Sequence, residues 1–178
     1  FTLVEVLLLR PLPVSSPGRL FSISAPGRNI DLNPSYYAHD FYEALRASNP
    51  VFRSLIASST VVSSGVNLAD GQATDRVRAE LVSGNYFDVM GVGAAAGRAL
   101  RPDDDKTPGA HPVLVLSYGY WQRHFAGAPN IVGRTLTVNG TPFTVVGVAR
   151  RGFFGTRPGF GSDLWAPLMM VQPLSGGG

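Results

Sequence analysis

The sequence predicts an α+β domain. Two alternating segments meet at Asn139-Gly140, a dipeptide suited to the left-handed backbone positions of a two-residue hairpin turn. Helical periodicity is clearest over residues 35–47 and in the run after Ser117. Strands and helices otherwise mix without the regular rhythm of βαβ units, which favours α+β over a doubly wound sheet.

The 178 residues can bury a core as one large domain or two small ones, and 44% hydrophobic with 15% charged residues is a globular balance. A net charge of +3 is spread along the chain, with no Lys/Arg run longer than Arg150-Arg151. That argues against a nucleic-acid binder, which gathers its cations on one face. With no cysteine there is no disulfide, thiolate zinc site or thiol nucleophile. Residues 1–9, Phe-Thr-Leu-Val-Glu-Val-Leu-Leu-Leu, are apolar but shorter than the roughly 20 residues that cross a bilayer. They carry neither the basic start nor the small-residue cleavage site of a secretory signal. They read either as a buried N-terminal element or as the last turns of a membrane helix.

The elements follow in order. Arg10-Pro11-Leu12-Pro13 stops whatever precedes it. Residues 20–24 alternate as a strand. Ser35 is placed to cap a helix over 35–47, with Tyr37, Phe41 and Leu45 on its inner face. Asn49-Pro50 interrupts it, and 51–57 reads as a second helical piece with Phe52, Leu55 and Ile56 inward. Segments 61–68 and 76–82 form an antiparallel pair around Asp70-Gly71. In the second, Val77, Ala79 and Leu81 share the core face, while Arg76, Arg78 and Glu80 face solvent. Residues 85–90 are a helical turn closed by Gly91. Residues 113–116 are a wholly apolar strand, and Ser117 caps a helix that buries Tyr118, Trp121 and Phe125 and exposes Tyr120. The hairpin over 133–148 and a short strand at 164–168 complete the domain, and 175–178 is a flexible end.

Motifs for chemistry are weak. Gly91-Val-Gly93-Ala-Ala-Ala96 matches a relaxed dinucleotide pattern but lacks the strand-to-helix setting, and reads as a tight small-residue loop. Asp103-Asp104-Asp105 lacks the spacing of a calcium loop and reads as a solvated acidic turn. His39, His111 and His124 do not pair at zinc-site spacings, and no Gly-x-Ser-x-Gly elbow is present. No cofactor is expected. Residues 152–161, Gly-Phe-Phe-Gly-Thr-Arg-Pro-Gly-Phe-Gly, are either a connector or an exposed contact loop.

Several pieces, taken in order, resemble the MacB-like periplasmic core domain of FtsX-type ABC transporter permeases, in particular the acidobacterial-type orphan permeases. They are Leu8-Leu-Arg-Pro-Leu-Pro13, Ser83-Gly-Asn-Tyr-Phe-Asp-Val-Met-Gly-Val92, Gly97-Arg98 with Pro102-Asp-Asp104, and His111-Pro-Val-Leu-Val-Leu-Ser-Tyr-Gly-Tyr-Trp-Gln-Arg-His-Phe125. Ile131-Val-Gly-Arg-Thr-Leu-Thr-Val-Asn-Gly140, Pro142-Phe-Thr-Val-Val-Gly-Val148, Gly152-Phe-Phe-Gly-Thr156 and Asp163-Leu-Trp-Ala-Pro-Leu168 follow. The resemblance implies that residues 1–9 are the outer end of a first transmembrane helix and 10–178 an extracytoplasmic domain of two lobes. A mixed α/β porter lobe would hold about 20–82 and 144–170, with a smaller sabre lobe inserted over about 83–142. It implies a domain without an active site, at the periplasmic or extracellular side of a bacterial inner membrane. The domain would move when a cytoplasmic ABC ATPase on a separate chain hydrolyses ATP. Implied partners are a second permease protomer and a periplasmic adaptor or lipoprotein, with Phe153, Phe154, Arg157 and Phe160 as contact residues. A binding module for a peptide, lipid or glycan is the rival reading. It requires an apolar cleft with converging polar groups. A hydrolase requires Ser or Asp within reach of a histidine.

Overall fold

The computed structural model describes residues 14, 17–21, 36–60, 66–71, 73–157 and 161–174. The expectations for residues 1–9, 22–24, Ser35, 61–65, Phe160 and 175–178, and for the Tyr37 side chain, lie outside them.

The described residues form one mixed sheet of nine strands. The strands are β1 Ser58–Thr60, β2 Val66–Ala69, β3 Thr74–Val77, β4 Ala79–Val82, β5 Ala94–Gly97, β6 Val113–Leu116, β7 Thr135–Val138, β8 Thr141–Ala149 and β9 Leu164–Pro167. The helices are α1 Tyr36–Ala47, α2 Tyr86–Met90, α3 Tyr118–Phe125 and α4 Val171–Leu174. The spatial order is β1-β4-β9-β6-β8-β7-β2-β3, with β5 added to β8. The β4–β9 and β6–β8 pairs are parallel and the others antiparallel.

The central strands are covered on both faces, which is why β6 and β9 read as unbroken apolar runs. One face carries Leu81, Leu114, Leu116, Leu136, Phe143, Val145, Leu164 and Ala166, packed against α3 and α4. The other carries Val82, Val115 and Trp165, packed against Tyr86, Phe87 and Met90 of α2 and against Phe153. Successive residues of β6 and β9 serve opposite cores, as the two-residue period of a strand requires.

The Asn139-Gly140 turn forms as expected, with φ of 46° and 83°, and β7 and β8 pair from Val138↔Thr141 to Thr135↔Thr144. Gly91 closes α2 in the left-handed region, and the Ser117 hydroxyl caps α3 by accepting from the Tyr120 N–H at 3.1 Å. Gly147 is dictated by close approach, because a Cβ there would lie 2.1 Å from the Arg98 carbonyl oxygen.

Several expectations are corrected. Residues 51–57 are not helical. The Asn49 side chain accepts from the N–H groups of Val51 and Phe52 and donates to the Phe52 carbonyl, an arrangement that competes with helix formation. On α1, Phe41 is 62% exposed and Tyr42 faces inward. The alternation of β4 is as read, but at Glu80 the second face is covered by the segment after β8, so Glu80 is only 5% exposed. Tyr120 is buried at 3%, while Tyr118, Trp121 and Phe125 lie at the margin of the core. The small-residue run 94–97 is strand β5 rather than a loop.

Hydrogen-bonded ladders also cross the expected lobe boundaries, with local register shifts at Ala94–Ala96 and Leu114–Val115. Strands β5, β6 and β7, from segment 83–142, pair with β8, β9 and β2 of the flanking segments.

Candidate functional site

After β8 the chain enters the loop expected to make contacts. Phe153 turns back into the core at 3% exposure, with ring centroids 5.2 Å from Trp165, 5.8 Å from Phe87 and 6.2 Å from Tyr86. It is an anchor of the loop, and this corrects its assignment as a contact residue. Phe154 is half-buried and its carbonyl accepts from the Ser162 N–H at 3.0 Å, closing the base of the loop. Arg157 is exposed, and Phe160 lies outside the described residues. Beneath the loop, Glu80 accepts at 2.9 Å from both Trp165 Nε1–H and the Ser162 hydroxyl. The loop base is therefore fixed to the sheet, and the segment containing Arg157 is presented from a rigid support.

A second feature lies between α1 and the turn at 102–106. The cleft there has a volume of about 270 Å³ and is lined mainly by polar and charged residues, including His39, Tyr42, Glu43, Arg46, Asn85 and Asp105. The turn is not the solvated acidic stretch expected: of its three aspartates only Asp103 is exposed. Asp104 is gripped by Arg98 through two bonds of 2.6 and 2.9 Å and accepts from the Arg101 N–H. Burial works against its ionised form, but these donors outweigh it and hold the pKa below the ordinary carboxylate value. Asp105 accepts from the N–H groups of Gly84 and Met169, and His39 Nε2 stands 3.8 Å away. Here burial prevails and pushes the pKa up to about 6. Tyr42 completes the junction: the one proton of its hydroxyl is shared between the Leu55 carbonyl at 3.1 Å and Asn85 Oδ1 at 3.0 Å.

A third cluster joins α3 to β3. His124 Nδ1 lies 2.7 Å from Asp75, and the Tyr120 hydroxyl donates to the same carboxylate at 3.1 Å. A histidine–aspartate contact is thus present, but the neighbouring hydroxyl is committed to Asp75, and burial and that carboxylate raise its pKa. Among the described residues, no group of three His, Cys, Asp or Glu side chains is placed to hold a metal ion. No described helix is long and apolar enough to cross a membrane.

Sequence reasoning missed Glu80 and Asp105. Strand alternation located Glu80 but did not show that a layer covers its face. Nothing local distinguishes Asp105 from exposed Asp103.

The sheet order, the covered faces and these anchors can be set beside known proteins. A model of the MacB-like periplasmic core domain matches residues 3–177. The chain belongs to this family. The macrolide export ATP-binding/permease protein MacB of Aggregatibacter actinomycetemcomitans is 30% identical over 116 residues, which is 65% of this chain and 18% of that protein. The match to this MacB-like domain therefore spans less than a fifth of that relative. The crystal structure of the periplasmic region of MacB from Actinobacillus actinomycetemcomitans matches with a TM-score of 0.61 at 25% identity, over 78% of this chain and 59% of that one. The extracellular domain of the noncanonic ABC-type transporter YknZ from Gram-positive bacteria shares the fold, with a TM-score of 0.57 at 17% identity, over 75% of this chain and 63% of that one. A domain of a putative permease from Porphyromonas gingivalis shares it at 0.54 and 16%, over 75% and 59%. The MacB-like domain thus has the α+β fold of these solved domains.

Proposed function

We propose that this chain is a non-catalytic extracytoplasmic domain of an ABC permease at a bacterial inner membrane. It carries the motion of membrane helices to a periplasmic partner and so couples cytoplasmic ATP hydrolysis to export. ATP chemistry belongs to an ABC ATPase on a separate chain, and the domain works beside that of a second permease protomer. The observation that carries this reading is a family match over residues 3–177 combined with one sheet packed on both faces. An element that transmits displacement must hold its shape, and a core packed at crystal-like density does so. The contact surface for an adaptor or lipoprotein is the loop carrying Phe154, Arg157 and Phe160. The porter portion (20–82 and 144–170) and the sabre portion (83–142) share a ladder, so the proposed motion is that of the whole domain against its partner protomer.

The rival, a binding module for a peptide, lipid or glycan, has less support. The α1 cleft, at about 270 Å³ and lined with charge, falls below the roughly 300–1,000 Å³ of mostly apolar ligand sites.

The test uses the full-length permease and its ATPase in membranes. With any cysteines elsewhere in the permease and ATPase replaced, an Asn130→Cys spin label, at an exposed position of a domain that has no cysteine of its own, gives one inter-protomer distance. That distance is expected to change with ATP. A fixed distance beside an active ATPase, with a second label pair also unmoved, would sink the mechanical reading.

A further inference from the structure

The fold leaves three large apolar side chains in water on two adjoining segments. Phe21 is 75%, Val51 78% and Phe52 39% exposed, and the Phe21 and Phe52 rings pair at a centroid distance of 6.5 Å. The segments are tied to the body of the domain, because Leu20 and Ile56 pack against the α2-side core. The Asn49 hydrogen bonds fix the turn that carries Val51 and Phe52, with the Asn49 Nδ2–H donating to the Phe52 carbonyl at 2.6 Å. The patch is therefore held in place by the fold rather than by chance side-chain excursions. Contiguous apolar surface on a stable support marks a contact.

Charge selects the occupant. Segments 17–21 and 48–57 contain two arginines, Arg19 and Arg53, both exposed, and no carboxylate. A second copy docking patch to patch would bring like charges together. A lipid interface suits this composition better: rings and aliphatic groups enter the acyl boundary while arginines reach the phosphates. The chain also limits where the patch can go. The ten Cα–Cα steps from Leu9 to Arg19 span at most about 35 Å, so the patch lies within that reach of residues 1–9.

We propose that Phe21, Val51 and Phe52, with Arg19 and Arg53, form a docking surface for an anionic phospholipid bilayer. The proposal rests on the placement of this domain beside a membrane. Docking would fix the base against which the domain moves.

The test attaches an environment-sensitive fluorophore at Val51→Cys in the 178-residue chain, with Asn130→Cys as the control position. The probes are vesicles of phosphatidylglycerol with phosphatidylethanolamine, and vesicles of phosphatidylcholine alone. The expected result is a blue shift at position 51 on the anionic vesicles and none at 130. Partitioning should weaken by at least about tenfold in Arg19→Glu/Arg53→Glu. A probe that stays in water while the chain sediments with vesicles would assign binding to residues 1–9 and overturn the proposal. Equal shifts on phosphatidylcholine would overturn the anionic assignment. A probe already shielded without vesicles also overturns it, naming the chain itself if shielding is independent of concentration and a second copy if it grows with concentration. The ATP-dependent distance at Asn130 is read separately, so either idea can fail while the other stands.

Discussion

Asp104 and Asp105 are chain neighbours whose environments drive their ionisation in opposite directions. Asp105 is pushed up to about 6 by burial, which its two backbone donors and His39 do not offset, while nearby Glu43 adds to the rise. In the unfolded chain an aspartate titrates near 4. Between those values the unfolded state has lost its proton and the native state retains it, so this group's contribution to stability falls as pH rises from about 4 to about 6. The limit is about 3 kcal/mol, from roughly two pKa units at 1.36 kcal/mol each. Asp105→Asn keeps a neutral acceptor and removes the titration. Urea denaturation at several pH values should therefore show wild-type stability declining relative to the variant across that window, and a flat difference would refute the assignment. Asp104 behaves oppositely: its depressed pKa gives stability present above the unfolded value and lost as pH falls through the folded one. The same contrast separates Phe153 from its neighbours. Phe153→Ala empties a site between Trp165, Phe87 and Tyr86 and should cost about 3–5 kcal/mol. Arg157→Ala, at an exposed position, should change stability by less than about 0.5 kcal/mol while weakening partner capture. Comparable unfolding midpoints for the two variants would contradict the division between anchor and contact.

At the scale of elements, the β7–β8 hairpin does more than reverse the chain. Asn139 holds φ at 46°, accepts from the Asn67 N–H at 2.9 Å and donates to the Leu174 carbonyl at 2.7 Å, so one turn residue joins β2 and α4 to the hairpin. Asn139→Ala should lose about 2–4 kcal/mol, combining left-handed strain with two hydrogen bonds. Asn139→Gly relieves the strain alone, and equal losses in urea unfolding would show that the bonds dominate. The turn itself was legible because Asn-Gly is locally determined; the joining of three elements was not, because Asn67 and Leu174 are distant in sequence. The same distinction runs through the fold. Gly91, the Ser117 cap and the apolar runs of β6 and β9 signal through local preference and were read correctly. Residues 51–57 were misread because an Asn49 side chain outcompeted apolar spacing. Glu80 and Tyr120 were misread because periodicity locates a face without showing what covers it. Of the proposed contact residues, Arg157 is exposed, whereas the burial of Phe153 has no signal in the sequence to separate it from Phe154 beside it. The exposed Phe21–Phe52 pair had no local signal, since Phe52 read as core and Phe21 only as part of an alternating strand.

At the scale of the whole molecule, the decisive property is continuity. The lobe division drawn from resemblance places β4 and β9 on one side and β6 and β7 on the other, yet β6 pairs with β9, and β7 with both β2 and β8. Moving segment 83–142 against its flanks would break ladders in the middle of the sheet, where both faces are packed and exposed backbone groups would find no water. Rotating the domain as one body breaks none of these bonds. The two motions differ in a single experiment. Spin labels at Thr74→Cys on β3 and Asn130→Cys, both exposed, report the distance between the two segments within one protomer, and Asn130→Cys alone reports the distance between protomers. Through an ATP cycle in membranes the first distance is expected to hold constant while the second changes. A first distance that changes with nucleotide would mean that the ladder opens during the cycle, and the domain would then act by internal shear rather than as a rigid lever.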